Sequence, residues 1–322
     1  MLIDYILFFA GIVLLVKGAD SLVDGSVSLA RKLGVSSLVV GLTVVSFGTS
    51  MPELLVNLIS AFKGETDIGL GNIVGSNLAN ILLVLGLTAV LYPVRVHKSV
   101  IWKEIPFSLL AALVLFIVAN DTFIDLSSVA LISRIDWLLL LSFFVIFLYY
   151  IIQTGKRTRM RNIERTLELA HLGYLKISLL ILGGTIGLFL VGKFVVDGAI
   201  ILAQTFGLSE FLISSTIIAI GTSLPELITS VTAAKKGKVG ISVGNIVGSN
   251  IFNVLFILAI TSVIFPIPVK GIINVDMIFL IFVSVLLFIF MFVGKKHMME
   301  KWKGALFVGL YLLYLIFNII RG

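Results

Sequence analysis

One stretch of this chain occurs twice, and everything else is arranged around it. Gly48-Thr49-Ser50-Met51-Pro52-Glu53 returns as Gly221-Thr222-Ser223-Leu224-Pro225-Glu226. Gly71-Asn72-Ile73-Val74-Gly75-Ser76-Asn77 returns as Gly244-Asn245-Ile246-Val247-Gly248-Ser249-Asn250. Glu226 lies 173 residues after Glu53, and Asn245 lies 173 after Asn72, so the repeat is ungapped. Asp24-Gly25 over Asp197-Gly198 and Pro93 over Pro266 extend it at the same offset. A repeat of this length requires both halves to adopt one plan.

The motifs are polar islands in apolar surroundings. The chain is 59% hydrophobic and 13% charged, with a mean hydropathy of +1.17, whereas soluble domains carry about 25% charged residues. Apolar runs of about 20 residues recur from end to end, the length that crosses a bilayer as a helix. Spans are predicted at 3–29, 36–61, 68–91, 105–119 and 130–152, then at 174–204, 209–234, 240–265, 273–294 and 303–320. The expected fold is therefore an all-α polytopic membrane protein with ten transmembrane helices. Residues 1–152 form a first five-helix repeat, 153–172 a polar cytoplasmic loop with a short surface helix, and 173–322 a second five-helix repeat. Five is odd, so the second repeat enters the membrane inverted relative to the first, a plan common in secondary transporters.

Loop charge gives the orientation. With the N-terminus outside, the inward loops hold Arg31 and Lys32, then Arg95, Lys98 and Lys103, then the five basic residues between Lys156 and Arg165. They also hold Lys235, Lys236 and Lys238, and four lysines between Lys295 and Lys303. The outward side holds Lys63, Arg134, Lys270 and Arg321. The positive-inside rule then places both termini outside. The net charge of +7 follows from the same rule and calls for no nucleic-acid partner. The chain has no cysteine, which excludes disulfides and thiolate metal sites. His97, His171 and His297 fall in predicted loops without metal-ligand spacing.

Glu53 and Glu226 are the only carboxylates predicted deep within spans. A charge there costs roughly 3 kcal/mol on insertion scales and by default marks function. On a helix, Ser46 and Thr49 share the face of Glu53, with Ser50 nearby; Thr222 and Ser223 repeat this, with Ala219 in place of Ser46. Pro52 and Pro225 lack an N–H and open the preceding turn, eased by Gly48 and Gly221. Carbonyls freed at membrane depth need something to satisfy them, and a cation can. Asn72, Ser76 and Asn80 form one stripe four residues apart, with Asn77 beside it. Asn245, Ser249 and Asn253 form the second, beside Asn250. Gly71, Gly75, Gly244 and Gly248 permit close helix approach. All these donors are hard oxygens, a set that suits Ca²⁺ and the similarly sized Na⁺, and suits Mg²⁺ less.

The paired GTS-x-PE and GN-x-x-GSN motifs resemble the alpha-repeats of the cation/calcium antiporter superfamily, most of all the prokaryotic sodium/calcium exchangers. The likeness covers essentially the whole chain. It implies exchange of cytosolic Ca²⁺ for external Na⁺ across the cytoplasmic membrane, without ATP and without a cofactor. It implies that Glu53 and Glu226 bind both ions and that the carbonyls of Thr49 and Thr222 join them around Ca²⁺. Ser50, Ser76, Asn80, Ser223 and Ser249 complete the sodium sites, helped by carbonyls at Ser46 and Ala219. The first and sixth spans are the pair that slides to gate access. Some relatives carry Asp where this chain has Asn253, so a third carboxylate is absent and no proton-coupled role falls to that position.

Two other readings stay open at this level. A Ca²⁺/H⁺ antiporter would have the glutamates carry returning protons, although the hydroxyl cage suits Na⁺ better. A cation channel fits less well, because the repeat encloses a site within one chain, for which a monomer suffices. No Ser/His, Cys/His or histidine-metal set lies within the spans, which argues against an intramembrane enzyme.

Overall fold

The computed structural model describes residues 2–64, 66–120, 131–166, 172–205 and 219–321, with the backbone alone at 2–10, 12, 66–67, 157–166, 194–205 and 219. Apart from four two-residue strands the described structure is helical. Helix α1 (Leu2–Leu33) ends on Gly34, whose φ of 69° is the left-handed stop that glycine tolerates. Ser36 then caps the next helix, its hydroxyl accepting from the Val39 N–H at 3.3 Å. That helix, α2 (Ser37–Thr49), is bent by 43° from α3 (Met51–Lys63).

The next helix, α4, comprises Thr66–Ala79, a π-helical turn at Asn80–Leu85, and Gly86–Leu91. Helices α5 (Val100–Val118), α6 (Asp136–Thr166) and α7 (Tyr174–Thr205) follow. After a single turn at Ala219–Gly221 come α8 (Leu224–Lys235), α9 (Val239–Ile264), α10 (Ile273–Phe290) and α11 (Lys301–Arg321). Helix α9 carries its own π-helical turn at Asn253–Ile257. These two π turns begin on a stripe asparagine, unlike those at Gly41–Val45 in α2 and Val100–Glu104 in α5, and π turns concentrate at functional sites.

Helices α4 and α9 are central: 78% and 83% of their apolar windows are buried, against 28% for α6 and 22% for α7. The outer helices turn large apolar side chains such as Leu138, Leu182, Phe282 and Ile316 to the surroundings, as lipid contact requires. The main core unites α2, α4, α5, α6, α9, α10 and α11. A second core is built around α1 and α7, from Leu15, Ala19, Leu22, Val23 and Leu188 with neighbours that include Val40, Val45 and Ile241. Helices α1 and α7 meet backbone to backbone: a Cβ on Gly184 would stand 2.7 Å from the Gly18 carbonyl oxygen, and one on Gly25 would stand 2.9 Å from Ile181. The strands tie distant loops together, Val94–Arg95 with Met298–Met299 and Leu131–Ile132 with Ile267–Pro268.

Among the described residues seven helices are long and apolar enough to cross a membrane, or eight if the bent pair is one span. The start of the predicted seventh span lies in 206–218, outside the described residues, as do Asp121, Asp125 and His171. The polar segment after 152 does not open a separate surface helix; α6 continues unbroken through Thr166. Gly244 and Gly248 make the expected close approach to α2, a Cβ on Gly248 lying 2.7 Å from Ser46 Oγ. The residues that the repeat would set against Gly71 and Gly75 fall in 206–219, where no side chain is described.

Candidate cation site

The site is built where the two broken segments meet the two central helices. The break in each motif centres on the serine: Ser50 has φ −83°, ψ 9° and Ser223 has φ −88°, ψ 4°. The proline follows in the first turn of the new helix, where its missing N–H costs nothing. Gly48 also lies at a close crossing: a Cβ there would stand 2.8 Å from Thr185 Oγ1, so α2 passes α7 closely at this glycine. Restarting at Met51 and Leu224 puts Glu53 and Glu226 in the first turn of α3 and α8, fully buried and near the positive helix ends.

The two carboxylates lie within electrostatic range of each other. They are held unequally. Glu226 Oε1 accepts from Ser50 Oγ at 3.2 Å and Ser249 Oγ at 3.4 Å. Its Oε2 and both carboxylate oxygens of Glu53 are buried without a hydrogen-bond partner; Ser76 stands beside Glu53 without bond geometry. The Oγ atoms of Ser76 and Ser223 and the Oδ1 atoms of Asn80 and Asn253 are likewise buried and unpartnered. Buried polar atoms are normally paired, and orphaned carboxylates are among the costliest exceptions. Every orphan in this set is an oxygen that can accept. Among the described residues no cluster of three or more His, Asp or Glu side chains occurs, so the charge offered is that of the two glutamates and the rest is neutral oxygen.

The halves grip each other by mated bonds. Thr49 Oγ1 donates to Asn245 Oδ1 at 2.8 Å, and its repeat mate Thr222 Oγ1 donates to Asn72 Oδ1 at 3.4 Å. Asn80 Nδ2 donates to Asn250 Oδ1 at 3.0 Å, and Asn253 Nδ2 to Asn77 Oδ1 at 3.1 Å. Each Oδ1 left over on Asn80 and Asn253 is thereby held in place by its own amide nitrogen. Of the predicted backbone ligands, the Ser46 carbonyl already accepts the Ser50 N–H at 3.0 Å. Ala219 lies in the short turn before the second break, where Ser223 N–H instead bonds Ile220.

Sequence reasoning underrated four residues. Asn77 and Asn250, read as neighbours of the stripes, are the centre of the amide network. Glu104 and Asp276 are also buried carboxylates, but Glu104 accepts from the Tyr150 hydroxyl and Asp276 pairs with Arg321 at 2.8 Å. Their partners are distant in sequence, so no spacing announced them. The contrast sets Glu53 apart: it is buried with no such partner.

This fold and site define an all-helical membrane protein of transporter type. A model of the family described as "Sodium/calcium exchanger protein" matches residues 3–153 and 176–320, and the chain belongs to that family. It is 38% identical over 272 residues to the inner membrane protein YrbG of Escherichia coli (strain K12), covering 83% of this chain and 81% of that one. It is 28% identical to the sodium/calcium exchanger MaX1 of Methanosarcina acetivorans, covering 98% of both. A solved structure of the sodium-calcium exchanger NCX_Mj soaked with Na⁺ and Ca²⁺ superposes with a TM-score of 0.81 at 32% identity, covering 98% of each chain.

Proposed function

We propose that this protein exchanges Ca²⁺ for Na⁺ across the cytoplasmic membrane by alternating access. The single observation that carries this reading is the set of unpartnered oxygens on Glu53, Glu226, Asn80, Asn253, Ser76 and Ser223. Two carboxylates balance one divalent ion, and neutral oxygens fill out a coordination shell of six to eight. Both ions draw on Glu53 and Glu226, so one excludes the other, and that exclusion couples their fluxes. Thr49 and Thr222 bring backbone carbonyls to the site, Ser50, Ser76, Asn80, Ser223 and Ser249 side-chain oxygens, and Ser46 and Ala219 further carbonyls. Asn253 supplies a neutral oxygen where an acid would add charge. A site emptied of ions leaves two buried carboxylates facing each other, which opposes the crossing step and suppresses leak.

The architecture we assign is ten spans in two inverted repeats, 1–152 and 173–322, joined through a cytoplasmic segment at 153–172, with both termini outside. The strand pairs favour this arrangement. Each joins two loops assigned to the same side: the loops around Val94 and Met299 inside, those around Ile132 and Ile267 outside. The α1–α7 pair is the moving element. It has its own core and meets through glycine backbone, a surface with few side chains to unlock. The reading is tested by ⁴⁵Ca²⁺ uptake into proteoliposomes loaded with Na⁺. Uptake that requires the outward sodium gradient is expected. Uptake driven instead by a pH gradient would replace Na⁺ by H⁺ as counter-ion, and uptake with no counter-ion would make the protein a channel.

A further inference from the structure

The two halves differ at one contact between the helix that carries the glutamate and the central helix beside it. In the second half, Asn245 Nδ2 of α9 donates to Ser230 Oγ of α8 at 3.0 Å and reaches the Glu226 carbonyl at 3.4 Å. The repeat mates of Asn245 and Ser230 are Asn72 on α4 and Asn57 on α3. There the equivalent bond is absent, yet both ends of it are present. Asn72 Nδ2 is a buried donor without a partner, and Asn57 Oδ1 is a buried acceptor without a partner.

Asn57 is completely buried, one helical turn beyond Glu53, and its Nδ2 donates to the Glu53 carbonyl at 2.9 Å. That bond fixes which amide atom is the oxygen. The oxygen faces α4: a Cβ on Gly69, one turn before Asn72, would lie 2.7 Å from it. In the second half the position of Gly69 is occupied by Ser242 and that of Asn57 by Ser230. The larger amide on α3 is thus matched by the missing side chain on α4. Asn57 and Asn72 hold the same repeat positions as Ser230 and Asn245, and Gly69 leaves the Asn57 amide oxygen its place beside α4.

We propose that Asn57 is a positioning residue that clasps α3 to α4 through Asn72 in the oppositely facing state, while the Asn245–Ser230 clasp opens. This rests on the inverted-repeat reading above, in which the halves exchange conformations as access alternates. The Asn57–Glu53 bond lies within one helix and is common to both states, so it cancels. The clasp between helices exists in one half at a time. It acts on the ion site through the peptide of the glutamate: the amide nitrogen of Asn245 already touches the Glu226 carbonyl, and closure brings Asn72 to that of Glu53.

The test uses the mirror relation. The cysteine-free chain takes spin labels at Leu33→Cys on α1 and Trp102→Cys on α5, both exposed positions. Their distance distribution in liposomes, without and with saturating Ca²⁺, reads the populations of the two states. Asn57→Ala removes a bond made only in the opposite state, so it enriches the distance of the structure described here. Ser230→Ala removes a bond made in this structure, so it depletes that distance. Each shift is expected to be roughly three- to tenfold in population ratio, the range one net hydrogen bond supplies. Asn57→Ser restores an acceptor hydroxyl and is expected within about twofold of the parent. Loss of packing alone would not move the two alanine variants in opposite directions. The proposal is overturned if both shift the same way, or if Ser230→Ala, the loss of one hydroxyl, leaves the ratio unchanged. A single distance in the parent that ions do not alter would instead defeat alternating access itself.

Discussion

Asn77 and Asn250 hold each other's backbone. Asn77 Nδ2 donates to the Asn250 carbonyl at 3.2 Å, and Asn250 Nδ2 donates to the Asn77 carbonyl at 3.4 Å. The two residues are repeat mates, so the pair marks where the halves meet. Each side-chain oxygen then receives an amide from the other half, from Asn253 and Asn80 respectively.

That reciprocity makes the network all or nothing. Asn250→Ala leaves Asn80 Nδ2 without its acceptor and the Asn77 carbonyl without its donor, both on buried residues. A loss of about 1–3 kcal/mol per stranded group is expected. Scanning fluorimetry of the detergent-solubilised protein measures it as a lowered unfolding midpoint. An unchanged midpoint would mean that the amides do not bind the halves together.

The unequal support of the two glutamates predicts unequal responses. Glu226 has two hydroxyl donors and Glu53 has none. In ion-free buffer, Glu53→Gln removes an unpaired buried charge and is expected to raise the unfolding midpoint, whereas Glu226→Gln leaves Ser50 and Ser249 to adjust and raises it less. Both variants lose Na⁺-dependent Ca²⁺ uptake. Wild-type protein gains about 2.7 kcal/mol at one hundred times the dissociation constant for Ca²⁺. Either variant that still gains this much in the same titration does not lack a ligand, and the site assignment fails there.

Much of this was legible before any coordinates. The repeat, the two polar islands and the glutamates stood out because polar groups in apolar runs are rare and because they recur at one offset. Helical spacing placed Thr49 and Ser50 near Glu53. It did not reveal that Ser50 bonds Glu226 instead, because that partner comes from the other half and only the meeting of the halves decides it. Asn57 does carry a signal in the sequence: it lies four residues after Glu53, on the same helix face. A glycine before a proline suggests a hinge, whereas the closeness of Gly48 to Thr185, on a helix more than a hundred residues away, cannot be read from spacing. The sequence does not separate α3 and α8 from their neighbours, because both are short helices that a hydropathy run merges with what adjoins them.

Helix α2 passes α9 so closely that backbone faces backbone. A Cβ on Gly41 would stand 2.9 Å from the carbonyl oxygens of both Gly240 and Ile241. Neither atom can swing aside as a flexible side chain would. Gly41→Ala is expected to cost about 1–3 kcal/mol, the usual range for overpacking. Gly192→Ala, whose Cβ would meet only Leu15 at 3.9 Å, is expected to be tolerated. Comparing the unfolding midpoints of the two variants checks this; equal midpoints would show that the α2–α9 crossing can relax.

Lys236, just past the end of α8, pairs with Asp20 at 3.0 Å and Asp24 at 2.8 Å on α1. Burial pulls its ammonium pKa down, but the hydrogen bonds and charges of Asp24 and Asp20 outweigh it and leave the value raised. A raised lysine contributes fully below its ordinary value of 10.5 and loses that contribution only as pH climbs through the higher folded value. Between about pH 6 and 8 the lysine's own titration therefore does not weaken this link. Lys236→His moves the transition into that window. An imidazole titrating near 6.5 when free, and raised beside the same two carboxylates, holds the link below about pH 6.5 and releases it as pH rises toward 8. The groups are partly exposed, so the change is small, a few tenths to about 1 kcal/mol, and shrinks with added salt. Unfolding midpoints of Lys236→His and the parent, taken at low salt from about pH 6 to 8, should diverge with rising pH. Parallel curves would show that α1 is not held to the α8 end by this cluster.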